Sequence, residues 1–139
     1  MAKKDEVRLQ VLAVADQVIE AKDGKKSLIG LFDRIFVQNL PSTHPRMTLF
    51  ITLVGEVDKK DAVSFVVEKP SGKQLSENTI DFVFGKNGKA DLIINLEGFP
   101  IEEIGAYKII LKHAGKELSE YLIQVSKVQE QNAGSTVIN

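Results

Sequence analysis

The sequence predicts an all-β fold, an antiparallel sandwich of two sheets with about eight or nine strands. Three observations predict it. Valine and isoleucine together number 27 against nine alanines, and β-branched side chains favour strands. Apolar and polar residues alternate with a period of two along several segments, as they do in half-buried strands. Glycine-containing turn signals separate these segments at short spacing, which is typical of sandwiches.

The first segment, residues 7–22, has two interpretations. Valines recur at helical spacing with Asp5 available as an N-cap, whereas alternation from Leu9 to Ala15 fits a strand. We favour two short strands broken near Asp16. The turn signal Asp23-Gly24-Lys25 can then close a hairpin onto residues 27–32.

Six later segments alternate clearly, and each places one apolar set on a single face. Amphipathic strands of this kind need a second layer to cover them, so we expect the core to lie between two sheets. The longest segment without a strand pattern is Phe36 to Pro45. The six inward-facing sets are Met47, Leu49, Ile51 and Leu53; Val63, Phe65 and Val67; Ile80, Phe82 and Phe84; Leu92, Ile94 and Leu96; Tyr107, Ile109 and Leu111; and Tyr121, Ile123 and Val125.

Four Gly-Lys pairs mark turns, because glycine adopts positive φ without steric cost. They are Gly24-Lys25, Gly72-Lys73, Gly88-Lys89 and Gly115-Lys116. A phosphate-binding loop also ends in Gly-Lys, but it needs an earlier glycine and a following Ser or Thr, and none of the four pairs has both. We therefore predict a hairpin at each pair.

The motif Gly105-x-Tyr107 opens a predicted strand and has two interpretations. Its tyrosine hydroxyl can tie back to nearby backbone, as in the corner of immunoglobulin-like domains. Alternatively, Tyr107 is a core residue with its hydroxyl at the rim. The first interpretation makes the predicted sandwich immunoglobulin-like.

Residues 7–128 are predicted to form a single domain, flanked by flexible segments at 1–6 and 129–139. The chain has no cysteine, which excludes disulfides and thiolate chemistry and fits a reducing compartment. The apolar stretch Val11 to Ala15 is too short for a signal peptide or a membrane span. We expect a cytoplasmic protein that does not bind membranes.

One polar cluster lies in an apolar setting: Asp33, Arg34, His44 and Arg46, hereafter the polar set. Pro45 restricts the backbone of His44, which favours a defined arrangement. Guanidinium groups bind anions, and imidazole titrates near neutrality. The same residues can equally form ion pairs and backbone hydrogen bonds that hold a long connection between sheets.

Other chemistry finds little support in the sequence. A net charge of -1 provides no overall field to attract nucleic acid. Two histidines without any cysteine do not indicate a transition-metal site, and no nucleophile elbow or dinucleotide fingerprint occurs. We predict no cofactor, no metal and no catalytic residue. His113, beside a predicted hairpin tip, is explained by solvent exposure.

Several motifs together resemble an uncharacterised family of small bacterial proteins, a domain of unknown function. An Asp23-Gly24-Lys25 turn is followed by a Gly-x-Phe-Asp segment at residues 30–33 and by His44-Pro45 downstream. The resemblance spans roughly residues 7 to 126. It implies a bacterial, cytoplasmic β-sandwich, and it implies no activity, cofactor or catalytic residue.

The sequence therefore predicts a non-enzymatic module that binds another protein or a second copy of itself. Sheet edges invite strand pairing. In this hypothesis the outer-face residues Phe50 and Ile110 belong to buried subunit contacts. The alternative is a domain that binds a small anion or metabolite, or an enzyme, with the polar set as its site.

Overall fold

A computed structural model describes residues 6–128 and contains nine β-strands in two sheets, which confirms the all-β prediction. The first sheet has the order β2-β1-β4-β7, and the second has the order β3-β9-β8-β5-β6. Within residues 6–128, no helix is long and apolar enough to cross a membrane. The segments predicted to be flexible, 1–6 and 129–139, lie outside the described residues except for Glu6. The strands are β1 (Arg8–Glu20), β2 (Lys26–Leu31), β3 (Arg34–Val37), β4 (Ser42–Val54), β5 (Lys60–Glu68), β6 (Gln74–Val83), β7 (Lys89–Ile101), β8 (Gly105–His113) and β9 (Lys116–Lys127).

One hydrophobic cluster joins buried side chains from both sheets. The first sheet contributes alternate residues of β4, and the second contributes alternate residues of β5, β8 and β9. The ring of Phe99 on β7 meets the ring of Tyr107 on β8 edge-on, with 5.6 Å between centroids. The predicted inward faces of β4, β5 and β8 are confirmed, since all of these residues are buried: Met47, Leu49, Ile51, Leu53, Val63, Phe65, Val67, Tyr107, Ile109 and Leu111.

The prediction of two short strands broken near Asp16 is wrong, because β1 is a single continuous strand from Arg8 to Glu20. What changes in this region is the pairing partner. Residues up to Ala15 pair with β4, and residues from Ala15 onward pair with β2. Gly30 lies beside Asp16 at a φ of 73°, and a Cβ at Gly30 would overlap the Asp16 carboxylate. This close approach requires glycine.

The β1–β2 hairpin folds back over the outer face of the first sheet. In β1, Val11 pairs with Thr52 while Glu20 pairs with Lys26, and a straight strand would separate these two positions by about 30 Å at about 3.3 Å per residue. Nevertheless, Lys26 Nζ lies 3.0 Å from a carboxylate oxygen of Asp91, which is the partner of Thr52 in β7. Only a hairpin that turns back across the sheet brings these groups together.

Two outer-face residues are buried by the chain itself. Phe50 points away from the core and is only 6% exposed, and its outer-face neighbours Thr48 and Thr52 are buried as well. The folded-back hairpin accounts for this burial. On the second sheet, Ile110 is 8% exposed and pairs with the buried Val66. The prediction that Phe50 and Ile110 await a subunit contact is therefore wrong.

The segment from Phe36 to Pro45 is not the long connection that the pattern predicted. It contains the end of β3 and the beginning of β4, separated by only a short turn at residues 38–41. Ile35 and Val37 face the core, while β3 pairs with β9 in parallel. Within residues 6–128 the other strand pairs are antiparallel, so the antiparallel prediction is wrong at this one edge.

Three of the four predicted Gly-Lys hairpins are present, between β1 and β2, β5 and β6, and β8 and β9. The fourth prediction is wrong, because β6 and β7 lie in different sheets and Gly88-Lys89 belongs to the connection between them. The Gly55 amide donates to the Gly88 carbonyl at 2.8 Å and ties this crossing to the end of β4.

The hydroxyl of Tyr107 ties back to the turn before β8, as the first interpretation of Gly105-x-Tyr107 predicted. It accepts hydrogen bonds from the backbone N–H groups of Glu102, at 2.8 Å, and Glu103, at 3.1 Å. The side chain itself is fully buried. This tyrosine therefore joins the core to the turn between β7 and β8.

Candidate protein-binding edge and cleft

Strand β7 forms one edge of the first sheet. It pairs with β4 along its length, and within the described residues no strand pairs with its other side. With 13 residues it is longer than the edge strands β2, β3 and β6. An edge strand presents unpaired backbone donors and acceptors, which makes it a template for another strand.

The outer face of β7 combines charged and apolar side chains. Lys89, Asp91 and Glu97 are exposed, and Ile93, the fifth residue of the strand, is 37% exposed. Burial favours the neutral form of Asp91, but hydrogen bonds from Thr52 and Lys26 outweigh it and hold the pKa of Asp91 below its ordinary value. Asp91 is thus an ionised acceptor at this edge.

A cleft of about 310 Å³ opens between β7 and the facing strands of the second sheet. Phe65 and Val67 of β5 and Leu75 of β6 line one side, and residues 95–100 of β7 line the other. The cleft lies beside the free edge, because β7 and β6, which both line it, are edge strands of their sheets. Its mostly apolar lining suits an apolar side chain from a bound segment of polypeptide.

The polar set is divided between the two sheets. Asp33 and Arg34 lie at the start of β3 in the second sheet, whereas His44 and Arg46 lie on β4 in the first. Across residues 6–128, no hydrogen bond or ion pair joins any two of the four. The ring of His44 lies 5.5 Å from that of Phe32, so the two segments approach each other there.

Asp33 of the polar set affects the pKa of Tyr121. Burial raises the pKa of Tyr121, and the negative charge of Asp33 raises it further. The Tyr121 hydroxyl donates to the carbonyl of Phe32 at 2.5 Å, and the Asp33 carbonyl accepts from Gln124 at 2.8 Å. These contacts fasten the chain before β3 to β9. The anion site itself remains a prediction.

The prediction that solvent exposure explains His113 is wrong, because His113 is paired with Asp61. Its Nε2 lies 3.0 Å from both carboxylate oxygens of Asp61, and the side chains are 18% and 17% exposed. Burial favours neutral Asp61, but the Ala62 N–H and His113 outweigh it and hold the pKa of Asp61 below its ordinary value. Sequence reasoning missed this pair because its members are 52 positions apart.

No group of three or more His, Cys, Asp or Glu side chains within residues 6–128 is placed to hold a metal ion. The Asp61–His113 pair lies beside a shallow cavity that also contains Thr79 and Lys112. Two side chains alone do not make a metal site, which normally needs three or more protein ligands.

Residues 10–126 match the model of DUF6941, a family of unknown function. The chain belongs to this family. This membership agrees with the resemblance to an uncharacterised domain family seen in the sequence. Among curated proteins, none matches the chain.

Several solved structures are similar in fold. The alkylpurine DNA glycosylase AlkC of Pseudomonas fluorescens, bound to DNA containing an abasic site analogue, matches 88% of this chain with 14% identity and a TM-score of 0.56. A β-glucosidase from Listeria innocua in complex with isofagomine matches 87% with 6% identity and a TM-score of 0.51. The chain covers only 31% of that glycosylase and 16% of that β-glucosidase.

An immunoglobulin-like protein (PA1606) from Pseudomonas aeruginosa is similar over 89% of this chain and 99% of its own. The identity is 13% and the TM-score is 0.48. At identities of 14% and below, the likeness to the glycosylase and the β-glucosidase concerns the fold alone.

Proposed function

We propose that this DUF6941 protein is a non-enzymatic protein-interaction module that receives an extended segment of polypeptide at the free edge of β7. The observation that carries the proposal is a 13-residue edge strand next to an apolar cleft of about 310 Å³. Backbone hydrogen bonds to the edge supply affinity, and side chains that enter the cleft supply specificity.

We infer further that the two sheets close as an immunoglobulin-like sandwich. Two features support this inference: the strand order of the two sheets and the tie from the Tyr107 hydroxyl to the preceding turn. In constant-type immunoglobulin domains a fourth strand covers the edge that corresponds to β7. Here β6 leads directly into β7, and within residues 6–128 that position is empty.

The other edges are less suited to a partner strand. β3 has only four residues, and β6 carries the acidic Glu77 and Asp81. β2 exposes Ile29 and Leu31, but it has only six residues and belongs to the folded-back hairpin. Short strands and charged side chains are the usual protection of an edge against pairing. β7 also carries charged side chains, at Lys89, Asp91 and Glu97, but it is longer than these three edge strands and the exposed Ile93 between its charges is apolar.

The proposed partner is a protein rather than a nucleic acid or a membrane. With a net charge of -1 the chain has no excess of cations for phosphate contacts, so we do not extend the DNA binding of AlkC to it. The cysteine-free composition fits a reducing compartment, and we place the protein in the cytoplasm.

The proposal is tested with a phage-displayed library of short random peptides, panned against sparsely immobilised protein. We expect enriched peptides to contain an apolar residue for the cleft and to shift the backbone amide resonances of β7 and β6. Ile93→Lys places a charge on the exposed apolar residue of the edge and is expected to weaken peptide binding about tenfold or more.

The matched control is Leu31→Lys, which makes the same change on the exposed residue of another edge strand. Its peptide affinity should equal that of the wild type. The proposal fails if no peptide is enriched, or if the enriched peptides bind the Ile93→Lys variant as tightly as the wild type.

A further inference from the structure

We infer that the segment that occupies the β7 edge is β7 of a second copy of this chain, paired antiparallel about a two-fold axis at Ile93. This inference rests on the proposed function and names its partner. A two-fold dimer uses the same surface on both copies, so the edge must be complementary to itself. The sequence and geometry of β7 meet that requirement.

The regular part of β7 has its midpoint at Ile93. Gly88 and Gly98, both at positive φ (74° and 66°), bound a nine-residue stretch from Lys89 to Glu97. Beyond it, Pro100 has no N–H to donate to a partner strand. If two copies pair antiparallel over the whole stretch, Ile93 of one copy necessarily lies opposite Ile93 of the other.

In this register the outer-face residues are complementary in charge. Lys89 lies opposite Glu97 of the second copy, and the two-fold axis repeats this pair. Arg46, the neighbour of Glu97 on β4, forms no ion pair with it within 4.0 Å, so Glu97 is available to Lys89. At the axis, the two Ile93 side chains bury each other's exposed surface.

The hydrogen-bonding groups also match. Asp91 lies opposite Asn95 of the second copy. Because Thr48 Oγ1 donates to Asn95 Oδ1 at 3.0 Å, the Nδ2 donors of Asn95 remain for a second partner. Asp91 accepts from Thr52 and Lys26 and, as a carboxylate, has further lone pairs for Asn95.

Neighbouring registers lack this complementarity. A shift by two residues in one direction places Asp91 opposite Glu97, two like charges, while a shift in the other direction places Asp91 opposite Ile93. On the inner face of the favoured register, Leu92 meets Ile94 of the second copy. The two first sheets then form one continuous sheet of eight strands.

The first experiment is a charge exchange measured by sedimentation equilibrium on the full chain. Lys89→Glu places two glutamates opposite each other at both ends of the interface, and Glu97→Lys does the same with two lysines. Each single variant is expected to raise the dimer dissociation constant about tenfold, and the double variant should return it to the wild-type value. Both sites are exposed, so neither change threatens the fold.

The second experiment is disulfide cross-linking, in which an introduced cysteine is the only one in the chain. Ile93→Cys is expected to form a disulfide across the axis under mild oxidation, because directly opposite residues in antiparallel strands have Cα atoms about 4.5–5.5 Å apart, within the range of a disulfide. Lys86→Cys, at an exposed position outside β7, is the control and should remain unlinked.

The outcomes separate this inference from the proposed function. A dimer that is weakened by each single charge reversal and restored by the double variant supports the inference. A dimer that is insensitive to all three variants uses another surface and overturns it. A protein that stays monomeric at high concentration also overturns it, yet leaves the proposed function intact if panned peptides still bind β7. If peptides fail as well, both proposals fall.

Discussion

The hydroxyl of Tyr107 anchors the turn between β7 and β8, and Tyr107→Phe removes it while the aromatic ring stays in the core. The hydroxyl accepts two backbone hydrogen bonds, from Glu102 at 2.8 Å and Glu103 at 3.1 Å. Each such bond contributes about 0.5–1.5 kcal/mol net, so their loss can lower the free energy of unfolding by about 1–3 kcal/mol.

For Tyr107→Phe we expect a loss of unfolding free energy in the lower part of that range. The two glutamates lie near the surface, where water can replace part of the lost hydrogen bonding, and no apolar cavity is created. We therefore predict a loss of about 1–2 kcal/mol. With a urea m-value of about 1–3 kcal/mol/M, the unfolding midpoint falls by roughly 1 M.

The assay is urea unfolding followed by circular dichroism, together with amide hydrogen exchange at Glu102 and Glu103. Exchange at these two amides should become faster in Tyr107→Phe, because they lose their acceptor. Tyr121→Phe is the control, since its hydroxyl serves Phe32 instead and its loss should leave both amides unchanged. A midpoint within about 0.2 M of the wild type, with unchanged exchange, would refute the reasoning.

Other predictions address packing, electrostatics and the alternative site. Gly55→Ala places a Cβ 2.5 Å from the ring of Phe84 and should lower the free energy of unfolding by about 1–3 kcal/mol; thermal unfolding of this variant and of wild type measures the difference. Because the pKa of Asp61 is lowered in the folded state, ionised Asp61 stabilises the fold above its unfolded pKa of about 3.9, and this stabilisation is lost as pH falls through the lower folded pKa. The difference in free energy of unfolding between wild type and Asp61→Asn should therefore shrink below about pH 4. A difference that stays constant with pH would contradict this. Lys26→Met removes the ion pair that holds the hairpin tip and should speed amide exchange in β2 but not in β5, at a cost of about 0.5–1 kcal/mol. The anion-binding alternative requires inorganic phosphate to shift amide resonances at the polar set, and an unchanged spectrum would remove it.

The faces of the strands could be predicted from the sequence. In β4 and β5 every second residue from Met47 to Leu53 and from Val63 to Val67 was expected to point inward, and all of them are buried. This succeeds because the two-residue period of a strand is a property of the local backbone. Tyr107 could be placed for a similar reason, since the turn that its hydroxyl anchors lies only four and five residues away.

The candidate edge could not be predicted in the same way. The alternation of β7 is similar to that of β4, yet in the described part of the chain β4 lies between two strands and β7 has one neighbour. The prediction that Phe50 was available to a partner failed because a hairpin from another part of the chain covers it. Asp61 and His113 were missed because they are distant in sequence and meet only when β5 pairs with β8.

By itself, the sequence determined that the chain forms strands, which side chains turn inward and where three of the hairpins lie, because neighbouring residues decide each of these. Only the tertiary structure decided that β3 lies parallel to β9, that the first hairpin folds back to Asp91 and that β7 remains at an edge. These features depend on contacts between residues far apart along the chain. Their free energy is determined by how all nine strands pack together, which no local pattern records.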